Sequence, residues 1–322
     1  MKVLAIVGPT GGGKSALALA LAETLGGEII SCDSMQIYRR MDIGTAKPTA
    51  EEQKQIRHHM IDVVEPTEPF SCADYVSLAS AAIDGCMARG HLPIVCGGTG
   101  LYLDALLRKN DFEPNTADEA VRRELWAVAE QEGAEALWRE LERVDPESAG
   151  ATHPNNVKRV IRAIEIFRVS GMTKSELDRR SLEGGMRYDA CVIGLRYEDR
   201  QVLYRRIDRR VDAMLAEGLV EETRGLMDEG VFEVNQTAAQ AIGYKELLPY
   251  LRGECALTVA AEQLKMATRR YAKRQMTWFS AKPYVRWLDM SETQTADGKK
   301  TFEEIVNNAK TLFQKGEFCG KI

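Results

Sequence analysis

Residues 3 to 15 read Val3-Leu-Ala-Ile-Val7-Gly8-Pro-Thr-Gly-Gly-Gly-Lys-Ser15. Five consecutive apolar residues closed by a glycine form the pattern of a strand buried on both faces of a parallel sheet. The next eight fit G-x-x-x-x-G-K-[ST], and Lys14 to Leu25, rich in Ala and Leu, reads as a helix stopped by Gly26-Gly27. Strand, glycine loop and helix in that order make a phosphate cradle. The glycines let successive N–H groups turn inward, the helix start adds partial positive charge, and Lys14 adds a full one. Gly8, Pro9, Thr10, Gly11, Gly12, Gly13, Lys14 and Ser15 are therefore the candidate phosphate-binding residues. The Ser15 hydroxyl is the candidate ligand of Mg2+. The plainer alternative is a glycine-rich turn that binds nothing.

Working outward, Glu28-Ile-Ile-Ser31 reads as a second strand. Ser71 to Arg89 begins with a Ser-x-x-Asp cap and repeats apolar residues at Tyr75, Leu78, Ala82 and Cys86, which predicts a helix ending at Gly90. Leu92-Pro-Ile-Val-Cys96 is a further buried strand, and Gly97-Gly-Thr-Gly100 leads into a helix over Leu101 to Leu107. This alternation predicts an α/β fold, a P-loop NTPase-like doubly wound parallel sheet. Thr116 to Ser181 is charged and helical in period, which predicts an all-helical insertion. Cys191-Val-Ile-Gly-Leu195 resumes the sheet, and helices dominate from Gln201 to Phe279. The expected organisation is core over 1–112, helical insertion over 113–186, core again over 187–290, and a tail over 291–322.

The chain has 322 residues, 44% hydrophobic and 28% charged, which is ordinary globular usage. A net charge of −5 means that any nucleic-acid surface must be a local basic patch. The seven cysteines are scattered and contain no Cys-x-x-Cys pair, which argues against a disulfide framework and a structural zinc site. The first residues already read as a strand, and no stretch approaches the roughly 20 apolar residues of a membrane span. A soluble cytoplasmic protein with no membrane partner, acting as a monomer, is expected.

A P-loop does not say whether its phosphate is transferred, hydrolysed or expelled. Val95 is followed by Cys96-Gly97-Gly98 where a hydrolase often carries a magnesium-binding Asp, and Asp62 is the possible substitute. Ligands of open α/β sheets gather at the carboxyl ends of strands, so Asp33 should lie beside the P-loop as a base or metal ligand. It reads equally as a cap of the following segment.

These motifs, together with Met41-Asp-Ile-Gly-Thr-Ala-Lys-Pro48, His58-His-Met-Ile-Asp62 and Gly97-Gly-Thr-Gly-Leu-Tyr102, closely resemble the bacterial tRNA dimethylallyltransferase family. The resemblance continues through His153-Pro-Asn-Asn-Val-Lys-Arg-Val-Ile-Arg162, Leu203-Tyr-Arg-Arg-Ile-Asp-Arg-Arg210, Gln240-Ala-Ile-Gly-Tyr-Lys245 and Ala272-Lys-Arg-Gln-Met-Thr-Trp278. It covers roughly residues 2 to 290 and lacks the C-terminal zinc finger of eukaryotic members. It implies dimethylallyl diphosphate as donor and N6 of the adenosine 3′ of the anticodon as acceptor, with the P-loop holding a departing diphosphate. Asp33, Thr10 and Arg206 become the implied catalytic residues. Arg206, read alone on a helix crowded with Arg205, Arg209 and Arg210, is otherwise a solvated arginine.

For tRNA the resemblance implies contacts from Asp33, Ser34, Met35, Gln36, Thr99 and Arg122, from Lys158, Arg159, Val160, Ile161 and Arg162, and from Gln240, Ala241, Ile242, Gly243, Tyr244 and Lys245. A stacked adenosine cannot reach a deep site, so it would be flipped out into a channel opposite the donor, where Gln36 could pair with its edge. Lys158, Arg159 and Arg162 share one helical face, with Val157, Val160, Ile161 and Ile164 on another. Lys265, Arg269, Arg270, Lys273 and Arg274, with Tyr271 and Trp278, form a second basic helix that either lines RNA or faces solvent. Two other classes stay open: a P-loop small-molecule kinase, and a nucleotide-switched RNA-binding module without chemistry.

Overall fold

The computed structural model describes residues 2–109, 118–290 and 302–315. Two compact units emerge, one of Met1–Leu107 with Arg187–Ile322 and one of Arg108–Met186. The first is built on six parallel strands, β1 (Lys2–Val7), β2 (Gly27–Cys32), β3 (His58–His59), β4 (Leu92–Gly97), β5 (Asp189–Arg196) and β6 (Val285–Asp289), in the order β3-β2-β4-β1-β5-β6. β1 lies inside the sheet, with Leu4 paired to both Ile94 and Cys191, and Val3 to Val7 are buried. A strand with neighbours on both edges and helices on both faces has no use for polar side chains, hence its unbroken apolar run.

Helix α1 (Lys14–Leu25) follows the P-loop and ends at Gly26, whose φ of 65° supplies the left-handed cap. α2 (Ala50–Gln55), α3 (Cys72–Ala88) and α4 (Gly100–Leu107) complete the first half. The predicted cap of α3 is present in both directions, the Asp74 amide donating to Ser71 Oγ and the Ser71 amide to Asp74 Oδ2. β2 and β4 approach so closely at their ends that a β-carbon on Gly97 would lie 2.1 Å from the Cys32 carbonyl oxygen. No side chain fits at position 97, whereas Cys96 beside it lines the smaller P-loop cavity.

The second unit holds α5 (Glu119–Glu132), α6 (Ala134–Val144), α7 (Pro146–Gly150), α8 (Val157–Ser170) and α9 (Lys174–Glu183) around a core that includes Leu125, Leu137, Leu141, Val160, Ile161 and Ile164. Val160 and Ile161, which the resemblance offered as RNA contacts, turn their side chains into this core. The fully buried Glu165 accepts from Arg122 at 2.9 Å, Arg162 at 2.8 Å and the Asp118 amide at 3.0 Å. Lys158 and Arg159 are exposed.

Back in the first unit come α10 (Arg200–Ala216), α11 (Leu219–Asp228), α12 (Val231–Val234), α13 (Leu248–Leu251), α14 (Leu257–Ser280) and α15 (Phe302–Gln314). α15 lies in the stretch expected to be a mere tail, yet Ile305, Val306 and Ala309 are buried in the core with Leu17, Leu21 and Ile193. β3 and β6 were not foreseen; one has two residues and the other is an edge strand. Among the described residues, all six cysteines are free, and no helix is long and apolar enough to cross a membrane.

Candidate active site

The P-loop is braced through its carbonyls, by its own residues and by two from outside. Pro9 O accepts the Gly12 amide at 3.1 Å and Lys14 Nζ at 2.9 Å, Gly11 O accepts Arg206 Nε at 3.0 Å, and Gly12 O accepts the Tyr197 hydroxyl at 3.3 Å. The Thr10 amide donates to Gln275 Oε1 at 2.7 Å. The first amides of α1 have no partner within the helix, so the fold presents a preformed anion cradle. Burial pulls the Lys14 ammonium down to about 8, with Arg210 adding to that shift and Cys96 and Asp33 opposing it.

Arg206 therefore sits on the loop, its guanidinium 6.0 Å above the Tyr197 ring. Arg209 and Arg210, one turn on, join it and Gly11–Ala16 around an open cleft of about 360 Å³. Arg210 was not singled out in the sequence. It borders every cavity described here, and burial lowers its pKa while the charges of Asp33 and Glu217 raise it.

Two cavities meet at the ends of β1 and β2. The smaller, about 80 Å³, is walled by Lys14, Ser15, Ala18, Ile29 and Ser31. The larger, about 390 Å³, is walled by Ser34, Met35, Ile207, Val211, Met214 and Gln240–Gly243 among others. Thr10, Asp33, Thr45, Arg210 and Tyr271 border both. Asp33 Oδ1 accepts the Met35 amide at 2.8 Å, so the carboxyl is fixed by a local turn while still facing the junction. Thr99 does not face the larger cavity; its Oγ1 accepts the Ser34 amide at 3.1 Å and braces the same turn.

Other sequence-derived candidates serve the scaffold. Gln36, offered as a reader of adenine, has its amide engaged: Oε1 accepts the Ser31 hydroxyl at 2.8 Å, and Nε2 donates to the Thr45 and Ala46 carbonyls at 3.2 and 3.1 Å. Tyr244 is wholly buried and donates to Glu222 at 2.7 Å, whereas Gln240, Ala241, Ile242, Gly243 and Lys245 line the larger cavity, Ala241 with little of its surface exposed. Asp62 pairs with Lys47 at 2.5 Å and borders neither P-loop cavity, so it does not replace the missing strand-end acid. On α14, Lys265 and Arg269 are engaged by Asp212 and Asp208 of α10, and Tyr271 and Arg274 reach the larger cavity.

A phosphate cradle backed by an arginine helix, with a carboxylate at the neighbouring strand end, defines a P-loop protein with a phosphate-binding site open to a second cavity. The IPP transferase family model matches residues 36–282, and the isopentenyl transferase model matches residues 1–69. The chain is 52% identical over 293 residues to the tRNA dimethylallyltransferase of Geobacillus thermodenitrificans, covering 91% of this chain and 92% of that one. The crystal structure of the tRNA isopentenylpyrophosphate transferase of Bacillus halodurans superposes with a TM-score of 0.70 at 44% identity, covering 98% and 97% of the two chains. A eukaryotic dimethylallyltransferase acting on tRNA gives 0.79 at 31% identity, over 94% of this chain and 77% of that one. The chain belongs to the IPP transferase family, whose curated relatives are tRNA dimethylallyltransferases.

Proposed function

We propose that the protein moves a dimethylallyl group from dimethylallyl diphosphate to N6 of the adenosine 3′ of the anticodon in tRNA, releasing diphosphate. The observation that carries this is the shared wall of the two cavities: Thr10 and Asp33 face both the phosphate cradle and the larger acceptor cavity. The allylic C–O bond breaks, the C–N6 bond forms, and the N6 proton passes to the Asp33 carboxylate. An adenine amine is a weak nucleophile because its lone pair is delocalised into the ring, so the reaction needs a proton acceptor and a stabilised leaving group. The amides of the cradle, Lys14 and Arg206 receive the charge that grows on the diphosphate.

Magnesium fits the residues present. The Ser15 hydroxyl lines the cavity beside Lys14, a hard oxygen of the kind Mg2+ accepts together with phosphate oxygens and water. When bound, Mg2+ supplies positive charge to the diphosphate, and Ser15 is the residue that would hold it. The tRNA would be gripped by the exposed cations of α8 in the helical unit and by the rim of the larger cavity. The test is incubation with Mg2+, dimethylallyl diphosphate and unmodified tRNA bearing that adenosine, followed by nuclease digestion and mass analysis for the N6-prenylated nucleoside. Phosphoryl transfer from ATP without such a product would establish the kinase reading instead.

A further inference from the structure

Gln275 lies on α14 with only 5% of its surface exposed. Its Oε1 accepts the Thr10 amide at 2.7 Å, and its Nε2 donates to the Gly98 carbonyl at 3.0 Å. The two partners stand at the ends of different strands, one in the phosphate cradle and one in the turn after β4. From Gly98 the chain passes directly to Thr99, whose amide donates to the Cys32 carbonyl at 3.1 Å and whose Oγ1 accepts the Ser34 amide at 3.1 Å. Those bonds hold the backbone on both sides of Asp33. A single buried amide group thus ties the donor cradle to the acceptor carboxylate, from the same face of α14 that carries Tyr271.

The fit is close. A β-carbon on Gly98 would lie 2.0 Å from Gln275 Nε2, so glycine at that position is what admits the amide. An apolar side chain at 275 would leave the Thr10 N–H and the Gly98 carbonyl buried without partners.

We propose that Gln275 is a positioning residue of the transfer reaction, setting the spacing between the cradle and Asp33; this rests on the transferase reading above. It borders the smaller cavity, but both ends of its amide are engaged by the backbone of Thr10 and Gly98. Misplacing reacting groups by about 1 Å costs on the order of 100-fold in rate, so its loss falls on the chemical step and spares binding.

The test compares wild type, Gln275→Met, Gly98→Ala, and Gly98→Ala combined with Gln275→Ala, by single-turnover rate at saturating donor and tRNA, by affinity for inorganic diphosphate and tRNA, and by Tm. Gln275→Met is expected to slow the single turnover about tenfold or more while both affinities stay within about threefold. Gly98→Ala, which drives the amide out, is expected to slow it similarly. Shortening residue 275 in the double variant removes the clash, so Tm recovers while the rate stays low. A Gln275→Met rate within about twofold of wild type, or a double variant whose rate recovers along with its Tm, overturns the proposal. Should Gln275→Met fail to fold, Gln275→Glu keeps the volume and the bond from Thr10 but, assayed at a pH where its carboxyl is ionised, cannot donate to Gly98. Slowed turnover at unchanged Tm supports the proposal, and an unchanged rate overturns it. If wild type itself forms no prenylated nucleoside, the transferase reading fails and the positioning role falls with it, an outcome visible without any variant.

Discussion

Tyr244 and Gly44 are in such close contact that a β-carbon at position 44 would lie 2.5 Å from Cζ of the tyrosine ring. The Tyr244 hydroxyl donates to Glu222 Oε1 at 2.7 Å, and the same carboxylate accepts the amides of Asp42, Ile43 and Gly44 at 3.0, 2.8 and 3.0 Å. One acidic side chain thereby holds the turn that delivers Gly44 and Thr45 to the larger cavity. Gly44→Ala should destabilise the protein by about 1–3 kcal/mol through overpacking, whereas Tyr244→Phe should cost about 1 kcal/mol. Chemical denaturation measures both, and a Gly44→Ala protein as stable as wild type would count against the contact.

Asp33 is expected to act on the acceptor and not on the donor. Asp33→Asn keeps a group that can accept from the Met35 amide but removes the proton acceptor, so kcat should fall by about 10²–10⁴-fold. Affinity for diphosphate should be retained. Calorimetric titration with inorganic diphosphate separates the two, and a variant that loses diphosphate binding along with turnover would place Asp33 in the cradle instead.

Burial sets the Lys14 ammonium near pH 8, so the free protein sheds that charge in a range where an ordinary lysine keeps it. KM for the allylic diphosphate should rise between pH 7 and 9, approaching a tenfold rise per pH unit at the alkaline end. Lys14→Met should bind the donor weakly at every pH and lose this dependence. The stability sign is opposite: between about 8 and 10.5 the unfolded chain binds the extra proton, so this lysine makes unliganded protein more stable as pH rises through that window.

The basic residues of the helical unit fall into two groups. Lys158 and Arg159 are exposed, while Arg122 and Arg162 are paired with the buried Glu165. Lys158→Ala with Arg159→Ala should weaken tRNA binding and reduce the salt dependence by about one phosphate contact each, at unchanged Tm. Arg162→Ala should lower Tm as well, because it strips a partner from a buried carboxylate. Filter binding across a salt series, read beside thermal melts, decides between them.

Glu28, 3% exposed at the start of β2, accepts from Arg89 at 2.9 and 2.6 Å and from His59 and His91 at 2.6 Å each. The Arg89 bonds, outweighing the cost of burial, hold its carboxyl well below the usual carboxylate range. A depressed carboxylate stabilises fully above its unfolded value of 4.5 and loses that contribution as pH falls through the folded one. Glu28→Gln should therefore cost about 1–3 kcal/mol at neutral pH, and the difference should shrink in acid. Melting curves at pH 7 and at about pH 2 to 3, well inside the window between the two values, would show it.

The phosphate cradle was readable because all its parts are consecutive: a buried strand, a glycine loop and a helix within 25 residues. Asp33 followed from the rule that places strand ends together. Gln36 and Tyr244 were not readable, because what determines their roles is Thr45, Ala46 and Glu222, partners that meet them only in the folded chain. Arg210 was hidden for a different reason. It shares a run of arginines with Arg205 and Arg209, and only the phase of α10 against the loop separates a residue facing the cavities from one facing solvent. The stretch from 302 carries an apolar stripe, but nothing in it says which surface the stripe will cover.

The near-contact between Gly97 and the Cys32 carbonyl bears on what this scaffold could become. An engineer wishing to turn the diphosphate cradle into an ATP-hydrolysing motor could not do so by installing an aspartate at position 97, since the Cys32 backbone already occupies that space. Both strands would first have to be respaced, and Asp33 moves with them. The route from alkyl transfer to hydrolysis is therefore closed to single substitutions at this position.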